Sequence, residues 1–574
     1  MKPVPVIKDK LYIPKKDVDL NVLKQNYEVL QFDDAICSKC EYFHDRPCSV
    51  CAQGCEGFIT KLRTWGVKKV KGVQYVYVPV GNAFKIKRLF GIDLSKVKDV
   101  RPENKFDYPI KFTGTLRHGE KVNGFPTADQ VTITKDYLKY KFGLINAQPR
   151  SGKTVMSVFC CCKIGVKTIV IAKQEEFLNN FYKTFMSMTN VPKIEKKLGH
   201  PIVKVVKNVK EMKDLQVALV TYQKFIRESG DERIKKYING RYSFLIIDEV
   251  HGAAAVSFAK FVNKLVMKYR LGLSATPLRK DGRDCLIKEI VGPIVAKSDA
   301  IGMVPIVDIT ETGVCTTKYK GSGPGNWVYA MKWLYSSAER NKLIVNQVFR
   351  DINAGHKCIL IPTDHKKHMN LLVEMIRKKA KKLARKGTLL NGEPIDWRNF
   401  VAGFYSGCNR KDILDKADQG IHRVIVAVRS MVKEGIDIRA PSCIYIQTPM
   451  SANPQPVGSP FFYQLANRVC TPYAGKRQPV IRIFVDGLGQ SLGCLRSLLT
   501  YELFPGLRRG KNGESPRYKM ASATCKRVWD ILAQARKNAY QPLDRKQRYE
   551  QYAKYNNEYD KQKGTWWNSY KDLS

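Results

Sequence analysis

No stretch of this sequence is both long and apolar enough to cross a membrane as a helix. The longest uncharged span, Ala440–Asn467, is broken by Pro441, Pro449, Pro454, Pro456 and Pro460. Each proline removes a helical hydrogen bond and clashes with the turn before it. The stretch MKPVPVIKDK at the N-terminus has no apolar core of the kind a secretion signal needs. A soluble, intracellular, cytoplasmic protein without a membrane partner is expected. Acidic residues are also scarce: 52 Asp and Glu face 99 Lys and Arg, a net charge of +47. A folded chain with that excess repels itself unless it meets a polyanion, so nucleic acid is the expected partner. Solenoid repeats and low-complexity segments are missing, and 40 glycines and 27 prolines are near ordinary usage. Collagen-like, coiled-coil and wholly disordered classes are thereby excluded. Nor do the cysteines form the even framework of a small secreted domain. Of 16, five fall between Cys37 and Cys55, and the others are scattered or sit in the apolar run Cys160–Cys162.

What is present points to several domains, since 574 residues exceed one hydrophobic core. Residues 1–125 mix short β-like runs with turns, and from Lys61 to Lys121 carry fifteen basic residues against five acids. From about Phe125 short apolar runs alternate with helical patterns: FGLINA, TIVIA, VALVTY, FLIIDE, GLSATP, then CILIPT, VIVAV and CIYIQT. Such alternation predicts βαβ units and buried parallel sheets, an α/β class. The polar stretch KYKGSGPGN (Lys318–Asn326) separates two groups of runs. After about Phe504 the pattern turns helical and rich in Tyr, Lys and Arg. The expected domains are 1–125, 126–300, 301–505 and 506–574.

The central chemical signal is Ala147-Gln148-Pro149-Arg150-Ser151-Gly152-Lys153-Thr154, directly after FGLIN. This A/G-x4-G-K-T pattern between strand and helix predicts a loop whose N–H groups cradle phosphates at a helix N-terminus. Lys153 is expected to reach the β- and γ-phosphates of ATP and Thr154 to hold Mg²⁺. A second strand, Phe244–Ile247, ends in Asp248 and Glu249. Asp248 is expected to bind Mg²⁺, directly or through water, and Glu249 to activate the attacking water.

These two motifs head an ordered series that resembles the motifs of superfamily 2 helicases. Asp248-Glu-Val-His251 is similar to their DEAH-like motif II, Ser274-Ala-Thr276 to motif III and Ile171-Ala-Lys-Gln-Glu-Glu-Phe177 to motif Ia. Val220–Phe225 resembles the next DNA-contacting motif. CILIPTDHKKH resembles motif IV, Ile425–Asp437 motif V, and Gln464-Leu-Ala-Asn-Arg468 motif VI. The wording ATPLRKDGR followed by VGPIV is similar to phage fork-remodelling helicases of the UvsW type and to XPB-like helicases. The resemblance, covering roughly residues 125–490, implies two RecA-like lobes with ATP between them. It also implies an adenine contact at Gln130, nucleotide contacts at Gly435 and Asp437, and catalytic roles for Gln464 and Arg468. Motif VI departs from its usual R-x-x-R, because the second position is Thr471; slow turnover is one consequence, recruitment of Arg477 another. The function implied is an ATP-dependent DNA helicase or translocase acting, as a monomer, on forked and junction DNA in replication, recombination or repair. For a phage protein the compartment is the host cytoplasm. RNA unwinding, a restriction-system motor subunit and a DNA-binding scaffold with slow ATPase are the competing readings.

Cys37-x2-Cys40, Cys48-x2-Cys51 and Cys55 offer five thiolates for four places around a structural zinc ion. An iron–sulfur cluster or unligated thiols are the alternatives. A small β-rich zinc-binding domain that grips duplex DNA is thus expected before the two lobes, and a helical segment after them. The run Lys378, Lys379, Lys381, Lys382, Arg385 and Lys386 reads as a solvated helix face. Tyr549, Tyr552, Tyr555 and Tyr559 fit one packed helix face or a base-stacking array.

Overall fold

The computed structural model describes residues 4–32, 58–122, 125–148, 151–227, 232–250, 262–275, 284–298, 303–314, 324–433, 439–452, 459–470, 476–486, 489–503 and 518–521. They form two compact units, essentially residues up to Ala300 and residues from Ile301 onward. In the first unit a small sheet joins β1 (Val6–Ile7), β2 (Lys10–Pro14), β3 (Gly66–Val70), β4 (Val73–Pro79) and β5 (Lys98–Asp99) in the order β3-β4-β2-β1-β5. Its alternating pattern, as in the buried Leu11 and Ile13 of β2, marks a sheet with one covered face. Helix α1 (Ala83–Phe90) supplies Ile86 to that core and stops at Gly91, which takes the left-handed φ of +65° that ends many helices.

The larger sheet of the first unit is seven-stranded and wholly parallel. Its strands are β6 (Phe142–Asn146), β7 (Thr168–Ala172), β8 (Val203–Val205), β9 (Val217–Thr221), β10 (Phe244–Ile247), β11 (Tyr269–Ser274) and β12 (Ile294–Lys297), in the order β8-β9-β7-β10-β11-β6-β12. TIVIA, VALVT and FLII are buried at every position. They read as unbroken apolar runs because both sheet faces are covered: Val170, Leu219 and Ile246 enter one core, Ile171, Val220 and Ile247 the other. Helices α2 (Gln130–Tyr140), α3 (Lys153–Ile164), α4 (Glu232–Arg241) and α5 (Asp284–Val291) belong to this lobe. Arg270 of β11 is fully buried and donates to Ile290 O (2.7 Å) and Leu265 O (2.8 Å). The Ile290 carbonyl, at the end of α5 where no helical N–H can reach it, is satisfied in this way, as is Leu265 O in the turn before β11.

The small sheet is bound tightly to the lobe. At Gly81 a Cβ would lie 2.2 Å from Lys288 O, so only glycine lets that segment abut α5. Thr64 Oγ1 donates to the buried Glu289 carboxylate (2.7 Å). The extended segment after β5 then runs along the lobe. Lys167 N–H donates to Asn104 O (2.8 Å), Asn104 N–H to Ser243 Oγ (2.7 Å), and Ile110 is buried in the lobe's own core.

The second unit repeats the plan. Its strands β13 (Ile306–Glu311), β14 (Ile359–Thr363), β15 (Val401–Phe404), β16 (Val424–Val428), β17 (Cys443–Ile446), β18 (Val480–Val485) and β19 (Lys519–Met520) are all parallel, in the order β15-β16-β14-β17-β18-β13-β19. Counted along each lobe, both sheets read 3-4-2-5-6-1-7. Helices α6 (Ala338–Asn353), α7 (Lys366–Arg385) and α8 (Pro460–Ala466) belong here. Arg340 of α6 is fully buried against Asp486 at the end of β18 (2.8 Å), which also accepts from Thr312 (2.7 Å). The basic run on α7 is only partly a solvated face. Lys379 lies over the Phe349 ring (4.9 Å) and Lys381 over Trp397 (4.8 Å), while Lys378, Lys382, Arg385 and Lys386 are exposed. Within the segment expected to be helical after residue 505, the described element is the strand β19, which pairs with β13; the Tyr-rich remainder lies outside the described residues.

Candidate active site

All C-terminal ends of a parallel sheet lie along one edge, and ligands bind beyond that edge where the strand order reverses. In the first lobe β6 sits between β11 and β12, and its C-terminal end leads into Ala147. Ala147 N–H donates to Ser274 O at the end of β11 (3.1 Å), which fastens the loop to the neighbouring strand. Gly152 takes φ +84°, and a Cβ there would lie 2.1 Å from Gln130 Nε2. The turn therefore demands glycine twice over, by conformation and by space. Lys153 opens α3, so the free N–H groups of that helix's first turn face the loop.

Lys153 Nζ folds back on Ala147 O (3.2 Å) and Gln148 O (3.3 Å) and lies 4.0 Å from Glu249 Oε1. The ammonium is thus held at the loop by two carbonyls and one carboxylate. Ser151 Oγ is buried with no hydrogen-bond partner. A helix N-terminus, a lysine ammonium and an unsatisfied hydroxyl around one turn suit a polyphosphate. Thr154 is half-buried on the first turn of α3.

Asp248 and Glu249 follow β10, two strands from β6 and so about 10 Å away across the sheet. Asp248 is 9% exposed; its N–H donates to Ile171 O (2.9 Å) and its carbonyl accepts from the Tyr222 hydroxyl (2.8 Å). These two bonds tie the segments resembling motif Ia, the next DNA-contacting motif and motif II into one edge. Glu249 adopts φ +46°, a left-handed conformation that non-glycine residues take rarely and at a cost of order 1–3 kcal/mol. That turn directs the carboxylate toward Lys153 instead of along the strand. Carboxylate and hydroxyl oxygens of Asp248 and Thr154 are the hard donors Mg²⁺ takes.

Gln130 is 2% exposed, and both ends of its amide are engaged. Oε1 accepts from Arg117 N–H (3.1 Å), and Nε2 donates to Ser151 O (2.9 Å). One N–H and one lone pair remain for a ligand. The amide fastens the loop to the segment before α2. Arg117, whose guanidinium lies 3.2 Å from where a Gly152 Cβ would stand, is a neighbour that sequence reasoning misses. A lone arginine in an irregular segment carries no motif.

Gln130, Ala147, Gln148, Ser151, Gly152, Lys153, Asp248 and Glu249 therefore share one region of the first unit. Gln464 lies on α8 of the second unit, with Oε1 buried and unpaired, and Arg468 in the turn just after. Pro149, Arg150, Gly435, Asp437, Thr471 and the cysteines Cys37, Cys40, Cys48, Cys51 and Cys55 lie outside the described residues. Among the described residues no cluster of His, Cys, Asp and Glu could hold a metal ion by itself, and no helix is long and apolar enough to cross a membrane.

Residues 126–279 match the family described as the res subunit of type III restriction enzymes. A protein of Acanthamoeba polyphaga mimivirus named as an ATP-dependent RNA helicase is 26% identical over 69% of this chain and 72% of its own length. A protein of Escherichia phage T5 named as a helicase is 22% identical over 59% of this chain and 66% of its own. The DNA 3'-5' translocase XPB2 of Sulfurisphaera tokodaii is 26% identical over 29% of this chain and 34% of its own length.

Proposed function

We propose that this chain is a superfamily 2 helicase, as its motifs and relatives support, and within that group an ATP-driven DNA translocase that unwinds or branch-migrates forked and junction DNA. The observation that carries the reading is the Lys153–Glu249 pair, which joins a phosphate loop to a water-activating carboxylate at one sheet edge. In that role Lys153 leaves the loop carbonyls for the β- and γ-phosphates. Thr154 and Asp248 would hold Mg²⁺, whose charge would offset that of the phosphates. Glu249 orients and deprotonates the attacking water. Gln464 and Arg468 are assigned to the same reaction by their resemblance to motif VI. Gly435 and Asp437 add nucleotide contacts, and the loop residues Ala147 to Ser151, with Pro149 and Arg150, wrap the phosphates.

The domains we propose are a basic N-terminal region to residue 125, motor lobes over 126–300 and 301–505, and a basic C-terminal segment. Four of Cys37, Cys40, Cys48, Cys51 and Cys55 are assigned to one zinc ion in the N-terminal region. Elemental analysis finding iron or no metal in the purified protein rejects that assignment. An RNA substrate is the second reading, favoured by the name of the mimivirus relative.

Strand displacement on a panel of forks, Holliday junctions, tailed DNA duplexes and the matching RNA duplexes tests the proposal. ATP-dependent processing of forks and junctions, with little action on RNA duplexes, is expected. Efficient unwinding of RNA with none of DNA would transfer the assignment to the second reading.

A further inference from the structure

Besides the phosphate loop, the first unit contains a groove of about 750 Å³ lined by Lys8, Lys10, Lys68, Lys235, Lys236 and Lys264. These lysines come from separate parts of the chain. Lys8 and Lys10 lie at β2, Lys68 on β3, Lys235 and Lys236 on α4, and Lys264 just before β11. One wall is therefore the small N-terminal sheet and the other is the motor lobe. Asn239 of α4 fixes the second wall: its Oδ1 accepts from Val266 N–H (2.9 Å) and its Nδ2 donates to Lys264 O (3.4 Å). Lys10 Nζ rests on the Tyr77 ring at 4.0 Å, which fixes the first.

Two acids, Asp9 and Glu232, also line the groove, and both are engaged. Asp9 accepts from the Tyr12 hydroxyl (3.0 Å), and Glu232 pairs with Lys235. Among the described residues, no carboxylate lies within ion-pair distance of Lys8, Lys68, Lys236 or Lys264. Burial and the fields of Lys264 and Lys68 hold the Lys10 ammonium below its ordinary pKa, with Asp9 opposing. The lysines thus crowd one another, and an anion spanning the groove would relieve them.

The groove is not an outlying part of the nucleotide site. Lys264 precedes the start of β11, and α4 ends just before the start of β10, so the groove flanks the N-terminal edge of the sheet. The phosphate loop and Asp248 stand at the C-terminal edge, a strand length or roughly 15–20 Å away. Lysine ammoniums at this density read phosphate charge, not base identity, and duplex DNA presents one such charge per ~1.7 Å of axis.

We propose that this groove is a second nucleic-acid site, in which the N-terminal sheet and α4 together hold the phosphate backbone of the duplex arm ahead of the motor. The proposal rests on the DNA-motor reading above and adds the residues that grip the duplex.

The test uses the full chain with Lys68→Glu, Lys236→Glu and Lys264→Glu combined, three exposed positions outside the nucleotide site. A second variant carries Gln at the same positions, which removes the charges without adding acids. A control carries Lys378→Glu and Lys382→Glu on α7 and Lys386→Glu at its C-terminal cap. Binding of a blunt 30-base-pair duplex is measured against salt, alongside single-strand-stimulated ATP hydrolysis. The groove variants should bind duplex at least about tenfold more weakly, with a log–log salt slope shallower by about 2 to 3. ATP hydrolysis on single strands should be unchanged, and the α7 control should lose much less duplex affinity. Unchanged duplex affinity and slope in both groove variants overturns the proposal, as does an equal loss in the control. If the unmodified chain shows no DNA-stimulated hydrolysis, the motor reading fails, and the slope measurement still decides the groove by itself.

Discussion

Lys153 and Glu249 sit 4.0 Å apart at the mouth of the phosphate loop, yet their replacement should have separable effects. Lys153→Ala removes the cation proposed to meet the phosphates, so both nucleotide affinity and turnover should fall. Glu249→Gln keeps the shape and removes the proposed base, so ATP should bind and persist while turnover drops by about 10²–10⁴-fold. Equilibrium binding of a fluorescent ATP analogue beside steady-state hydrolysis separates the two. Equal loss of binding in both variants would refute the division of roles. Gly152→Ala is a sharper test of geometry. The new methyl would meet Gln130 Nε2 at 2.1 Å, in a backbone conformation at φ +84° that costs alanine about 1–3 kcal/mol. ATP binding should be lost with the rest of the lobe intact, and a pairing Gly152→Ala with Gln130→Ala should recover part of it. Recovery in full would mean that space alone, and not backbone conformation, demands glycine there.

Among the elements, the contact between the N-terminal sheet and α5 has a titratable group at its centre. Glu289 is 4% exposed, and burial pushes its carboxyl up to about 7 despite the hydrogen bond from Thr64. An unfolded glutamate titrates near ~4.3. The folded state therefore holds the extra proton between about pH 4.3 and 7, and stability from this group falls as pH rises through that window. Glu289→Gln, which keeps an acceptor for the Thr64 hydroxyl, should flatten that fall and leave the protein more stable at pH 8 by on the order of 1–3 kcal/mol. Thermal unfolding midpoints at pH 5 and pH 8 measure it. A variant less stable than the unmodified chain at pH 8 would show that an ionised Glu289 is favoured where it is.

Strands are the most legible elements. TIVIA, VALVT and FLII are unbroken apolar runs because parallel strands are covered on both faces, and all are strands here. The basic run on α7 is less legible: spacing alone cannot show that Trp397 and Phe349 come under Lys381 and Lys379. Local pattern also gives no sign that residues 104–112, an irregular stretch without motif, pack along the first lobe and bury Ile110 in its core.

At the scale of the molecule, the common strand order 3-4-2-5-6-1-7 makes the two lobes copies of one plan although no repeat is visible in the sequence. Order in a sheet is set by pairing between distant segments, which composition does not encode. The phosphate loop and the Asp248–Glu249 pair are legible because each is short and contiguous. The Gln130–Arg117 clamp and the lysine groove are not, because their parts are separated by tens to hundreds of residues and meet only when the chain folds. The excess of +47 points to nucleic acid but not to a place on the surface.

The central claim, that this is a motor driven along DNA by ATP, is tested most directly by the steady-state rate of ATP hydrolysis with saturating forked DNA, with RNA of the same sequence, and with neither. The rate should be low without nucleic acid, rise at least about tenfold with DNA, and rise much less with RNA. A rate that DNA leaves unchanged would contradict the account.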